Sequence, residues 1–161
     1  MNQSLVIFGD IGGTKTILRA SALPQDDQPF ILEQKYASQN YHRFDEIIIE
    51  FLSELQKNQP SNHTIVAACF AIAGPIVRQQ VQLTNLPWLI DAAALSKKFS
   101  IPQVKLINDF EATALGIEKL TQQDLVVLQA GQVNETNMCV VLGAGTGMGV
   151  AWIANIGNRY L

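Results

Sequence analysis

Cysteine and histidine are nearly missing from these 161 residues, with two of each. Cys69 and Cys139 stand inside separate apolar runs, so both read as small buried hydrophobes rather than a disulfide or a thiolate metal site. His42 and His63 sit singly in polar stretches with no second ligand at metal spacing, and no role is assigned to them. Charge is sparse too, at 16% of residues and a formal net of −3, with no Lys/Arg run. That argues against the clustered positive surface that nucleic acid or an anionic membrane requires. No apolar run is long enough to span a bilayer, and Met1-Asn2-Gln3-Ser4 lacks the basic flank of a signal peptide, so a cytoplasmic protein is expected. The hydrophobic share of 48% is ordinary for a globular chain and suffices for one full core with part of a second.

What the chain does have is two short glycine turns, each behind an apolar strand. The first is Gly9-Asp10-Ile11-Gly12-Gly13-Thr14 after Leu5-Val6-Ile7-Phe8; the second is Gly143-Ala144-Gly145-Thr146-Gly147 after Cys139-Val140-Val141-Leu142. Apolar residues follow both, so each reads as strand, turn, strand. Glycine turns of this kind can aim successive backbone N–H groups into one concavity, a seat for phosphate oxygens. Two seats suggest a nucleotide gripped from two sides, met by backbone and metal rather than by basic side chains. Competing motifs fail on spacing. A P-loop read from Gly9 breaks at Thr14, where glycine is required, and Ile17-Leu18-Arg19-Ala20 continues as a strand rather than a helix. A dinucleotide fingerprint read from Gly143 breaks at Met148.

Between the turns the order of elements is legible. Strands over 5–9 and 15–23, a loop at Pro24–Pro29 and a strand over Phe30–Tyr36 make a meander. Ile47, Ile48, Phe51, Leu52 and Leu55 recur at helical spacing. Thr64–Ala73 is continuously apolar, as in a central strand covered on both faces, and ends at Gly74-Pro75. A small hairpin over Val77–Leu83 leads to a helix that Asp91 caps and that runs through Lys98. Val104–Ile107 is another buried strand, and helical sequence follows from Glu111 to Ile117. The second glycine hairpin, from about Met138, has no helices of its own. The chain therefore reads as the beginning of a longer protein, whose last hairpin packs on the first unit or on a partner copy as a homodimer.

Asp10 ends the first strand beside a turn suited to phosphate, where a carboxylate is repelled unless a divalent cation sits between them. Mg²⁺ suits a single carboxylate plus phosphate oxygens; the plainer reading is a turn-capping residue. Asp109 lies where a strand becomes a helix, at the crevice where open α/β sheets bind ligands. It is placed either to cap the helix or to act as a base toward a hydroxyl in phosphoryl transfer. Asn108 and Asn85 each offer a donor and an acceptor suited to sugar hydroxyls.

These segments, together with Ala73-Gly74-Pro75, Leu83-Thr84-Asn85-Leu86-Pro87-Trp88 and Leu106-Ile107-Asn108-Asp109-Phe110, resemble the bacterial glucokinase family from the first strand to the end of the chain. The resemblance implies an α/β fold of the actin-like ATPase (ribonuclease H-like) kind, a βββαβαβα mixed sheet with flanking helices. It implies a first domain over 1–120 and, over 121–161, the start of a second, truncated one. The implied activity is ATP-dependent phosphorylation of glucose at its 6-hydroxyl, as a hexokinase-type phosphotransferase with ATP, Mg²⁺ and glucose as partners. ATP phosphates would be held by Gly9, Asp10, Ile11, Gly12, Gly13 and Thr14, and from the second domain by Gly143, Gly145, Thr146 and Gly147. Asp10 would serve the metal, Asn85 and Asn108 would contact sugar, and Asp109 would be both sugar contact and general base. Ala144 stands where the family often has proline. The family's Glu-Gly-Gly-His sugar segment and adenine pocket do not occur, so little turnover is expected of this chain alone. The alternatives are a non-catalytic sugar-sensing regulator of the same superfamily and an ATP-driven chaperone or filament protein.

Overall fold

The computed structural model describes residues 3–23, 30–59, 63–132, 138–144 and 148–154. The chain forms two compact units, Met1–Asn108 and Asp109–Leu161.

In the first unit, β1 (Gln3–Ile11), β2 (Lys15–Ala22), β3 (Leu32–Ala37), β4 (His63–Ile72) and β7 (Gln103–Asn108) form one sheet in the order β3-β2-β1-β4-β7. β1 runs antiparallel to β2 and parallel to β4, and β4 runs parallel to β7. The carboxyl ends of β1, β4 and β7 therefore share one edge of the sheet. Ile11, Ile72 and Asn108 fall in one row across it.

Alternation decides what is inside. Leu5, Ile7, Leu18, Ala20, Phe70, Ile72 and Leu106 point to one face and are buried. Against them lies α1 (Phe44–Asn58), which buries Phe44, Ile47, Ile48, Phe51 and Leu55; Leu52, expected in the same stripe, is half-buried. Glu46 starts this helix by accepting the N–H groups of His42 and Arg43 at 2.9 and 3.4 Å. Asp91 caps α2 (Ala92–Phe99) as expected, its carboxylate accepting the Ala94 N–H at 3.0 Å.

The segment after β4 departs from the expected hairpin. Val77 and Gln80 close a tight turn, and β5 (Gln80–Gln82) then pairs with β6 (Leu89–Asp91) across a longer loop. Arg78 and Gln79 stand at φ 52° and 60°, the left-handed region that side chains disfavour. The Gln79 amide offsets that strain. It donates to the Leu106 carbonyl at 3.2 Å and accepts the Leu106 N–H at 2.8 Å, pairing with edge strand β7 as a strand residue would.

In the second unit, α3 (Asp109–Gly116) packs on the hairpin of β8 (Cys139–Ala144) and β9 (Met148–Ile153). The sequence expectation placed this helix in the first domain. The face carrying Val141, Gly143, Gly149, Ala151 and Ile153 is partly or fully buried, while Val140, Leu142, Met148, Val150 and Trp152 are exposed. Cys139 is exposed as well, which corrects the expectation that both cysteines are buried: it is the first residue of β8, at the open end of the hairpin. Cys69, in the middle of the five-stranded sheet, is half-buried.

Candidate active site

The first glycine turn leaves β1 at Ile11 and enters β2 at Lys15. Gly9 lies inside β1, opposite Leu18, rather than in the turn. A Cβ on Gly9 would lie 2.5 Å from Leu18 Cδ2 and 2.9 Å from the Ile17 carbonyl oxygen, so packing alone demands glycine there. Ile11 is fully buried, which leaves only its backbone for a ligand. Asp10, between them, is exposed at the end of the strand.

Gly12 and Gly13 are needed for close approach rather than for a left-handed backbone. A Cβ on Gly12 would sit 3.0 Å from the Lys15 carbonyl oxygen, and one on Gly13 would sit 3.2 Å from Asn85 Cβ. The Gly12 N–H is spent inside the turn, donating to the Lys15 carbonyl at 3.0 Å. That N–H is therefore not available to a ligand, whereas Thr14 is exposed.

Asn85 reaches this turn because its neighbours are anchored. Leu83, Leu86, Trp88 and Ile90 are buried while Thr84, Asn85 and Pro87 are exposed. Trp88 packs beside the Phe44 ring and donates its indole N–H to the Tyr41 carbonyl at 3.1 Å. The Leu83 N–H donates to the Trp88 carbonyl at 3.0 Å, closing the loop. Core anchoring of this kind turns a flexible loop into a mount for one polar side chain.

On the next strands of the same edge, Gly74 takes φ 142°, a conformation that favours glycine. Its carbonyl accepts the Asn108 amide N–H at 3.1 Å, which fixes which way that side chain faces. The first unit thus assembles Asp10, the Gly12-Gly13-Thr14 turn, Asn85, Gly74 and Asn108 at the carboxyl edge of its parallel strands. A cleft of about 570 Å³ beside Phe8, Ala67, Cys69, Ser96 and Val104 is a different feature, with no carboxylate among the described residues that line it.

Asp109 begins α3 directly after Asn108. Its carboxylate accepts the Phe110 N–H at 3.0 Å, and its carbonyl accepts the Thr113 hydroxyl at 2.9 Å. One carboxylate oxygen of Asp109 is thus tied to the N–H of the next residue at the helix start, which restrains its orientation.

In the second hairpin, Gly143 and Gly149 face each other across the strands and both lie against Phe110. A Cβ on Gly143 would be 2.5 Å from the ring's Cζ, and one on Gly149 would enter the ring. Glycine here makes room for an aromatic side chain, a reason that spacing did not reveal. Gly145, Thr146 and Gly147 lie outside the described residues.

Sequence reasoning also missed Thr16 and Ser38, both fully buried. Their hydroxyls are 3.0 Å apart, and Ser38 donates to the Gly12 carbonyl at 2.8 Å. The available signal was alternation: Thr16 shares the inward register of Leu18 and Ala20, and a buried hydroxyl needs a partner.

A glucokinase family profile matches residues 7–161. The chain belongs to the glucokinase family. It is 41% identical over 159 residues to a glucokinase of Nostoc sp., covering 98% of this chain and 45% of that protein. It superposes on the crystal structure of a glucokinase from an Antarctic psychrotroph with a TM-score of 0.79 at 30% identity, covering 98% of this chain and 48% of the other. It superposes on a ROK family transcriptional regulator, a homologue of the E. coli MLC protein, with a TM-score of 0.67 at 14% identity, covering 98% and 38%, and that likeness concerns the fold alone. The chain spans about half the length of the glucokinases it matches. The fold is that of the actin-like sugar kinases, as the resemblance implied.

Proposed function

We propose that the chain supplies the first phosphate seat, the sugar-facing asparagines and the general base of an ATP-dependent glucokinase that makes glucose 6-phosphate. The observation that carries the proposal is the gathering of Asp10, Gly12, Gly13, Thr14, Asn85 and Asn108 at one sheet edge, with Asp109 next in the chain. A β-strand edge bearing a glycine turn, two amides and a carboxylate offers what phosphoryl transfer to an alcohol needs: positioning and one proton acceptor.

In this reading, backbone N–H groups beyond Gly12 and the Thr14 hydroxyl hold phosphate oxygens. Asn85 and Asn108 orient the sugar by its hydroxyls. Asp109 takes the proton of the attacking hydroxyl, its orientation set by the Phe110 N–H. The same reading assigns a second phosphate contact to Gly143, Gly145, Thr146 and Gly147. Asp10, an exposed carboxylate beside the turn, fits Mg²⁺, and among the described residues no cluster of three or more metal-ligating side chains offers a cage. Mg²⁺ bound there would neutralise phosphate charge. A cytoplasmic setting and assembly as a homodimer belong to the same reading, with the exposed apolar side of β8–β9 as the available face for a second copy.

The test uses an enzyme of full family length, this chain continued by the remainder of the Nostoc relative, and follows ADP release with and without glucose. Glucose-dependent release is expected. Asp109→Asn should lower kcat by about 10²- to 10⁴-fold, the usual worth of a general base, with nucleotide affinity retained. Comparable turnover in that variant removes Asp109 from the role, and glucose-independent release in the parent favours a water-attacking ATPase.

A further inference from the structure

The carbonyl that Ser38 holds belongs to the same peptide plane as the Gly13 N–H. A trans peptide points its C=O and N–H in opposite directions. Ser38 is fully buried, and its hydroxyl draws the Gly12 carbonyl inward at 2.8 Å, so the Gly13 N–H is turned away from the core. The Ser38 N–H also donates to the Thr14 carbonyl at 3.0 Å, which ties the end of the turn to the end of β3. Thr16, also fully buried, fixes the Ser38 hydroxyl from behind at 3.0 Å. Two glycines in sequence have little intrinsic resistance to a peptide flip, because neither carries a Cβ to select one orientation.

We propose that Ser38 is a positioning residue for phosphate, holding the Gly12-Gly13 peptide with its N–H outward, and that Thr16 orients Ser38 for this task. The inference rests on the reading of this turn as a nucleotide seat. It assigns specificity for an anion to residues that never touch the ligand: with the hydroxyl in place the turn presents donors, and without it the peptide can rotate to present a carbonyl, which repels phosphate.

The full-length enzyme described above provides the test. Ser38→Ala is expected to raise KM for ATP about tenfold, the scale of one lost hydrogen bond to a charged group, with KM for glucose unchanged. Thr16→Val, which keeps the shape and deletes the hydroxyl, should shift the same constant in the same direction. The double variant should be no worse than Ser38→Ala, because the two hydroxyls act in series. Thr16→Ser keeps a hydroxyl and should restore parental behaviour, which also serves if Ser38→Ala fails to fold. Equal losses toward ATP and glucose, or an unchanged KM for ATP in Thr16→Val, overturn the proposal. A parent that binds no ATP overturns the underlying reading of the turn instead.

Discussion

The first glycine turn is carried by a five-stranded sheet, whereas the second belongs to a two-stranded hairpin supported by one short helix. In sequence the two look like copies of one device. In the structure their glycines answer different needs: Gly12 and Gly13 let a turn close near Asn85, whereas Gly143 and Gly149 clear space for the Phe110 ring. Behind the first turn stand two buried hydroxyls that set its peptides; behind the second stands an aromatic face. Like-looking glycine patterns thus arise from the closure of a tight turn in one place and the seating of an aromatic ring in the other, and only the neighbours separate them.

The largest effect expected from breaking this contrast is Trp88→Ala. Removing a fully buried indole should cost about 3–5 kcal/mol, confined to the first unit. Hydrogen exchange would read it: β1, β4 and β7 should lose protection while the β8–β9 hairpin keeps its own. Equal loosening of both would mean that the units are not separately held. Next in size is Gly149→Ala, which drives a methyl into the Phe110 ring and should destabilise the second unit by about 1–3 kcal/mol, the range for overpacking. Phe110→Leu in the same chain should recover much of that loss. An unrecovered loss would show that the glycine serves backbone conformation instead.

The smallest effects are in acid. Asp91 in the first unit and Asp124 in the second are both held below the ordinary carboxylate range, chiefly by the Ala94 and Thr121 N–H groups respectively. A lowered folded-state value adds stability above the ordinary pKa and loses it as pH falls through the lowered value. The start of α2 and the Thr121–Leu125 turn should therefore both loosen only at pH below the usual carboxylate range. Carboxyl-resolved NMR titration checks this, and a midpoint at the ordinary value for either residue breaks the parallel.

Most of the architecture was legible because its signals are periodic. The stripe Ile47, Ile48, Phe51, Leu55 gave α1, the apolar run before Gly74 gave β4, and Asp91 marked the start of α2. The candidate residues Asp10 and Asn108 stood out because polar side chains there interrupt apolar runs at strand ends, and the sheet brings both to one edge. What could not be read depends on contacts distant in sequence. Val77–Gln80 looked like part of one hairpin, yet β5 pairs with β6 across a loop held by Trp88. Cys139 looked buried because its run is apolar, and its place at the open end of the hairpin overrides composition. Ser38 gave no local signal at all, since its partners Gly12, Thr14 and Thr16 are adjacent in space but distant in the chain, with 22 positions separating Thr16 from Ser38 and 26 separating Gly12 from it.

One consequence of the Arg78-Gln79 turn concerns molecules that never meet this site. Strand β7 is an outer strand of its sheet, and an uncovered backbone there invites another chain to add itself as a sixth strand. By occupying both hydrogen-bonding groups of Leu106, the Gln79 side chain takes the middle position of that template out of circulation. A left-handed pair of residues at the surface thereby guards the strand that delivers Asn108 against edge-to-edge pairing.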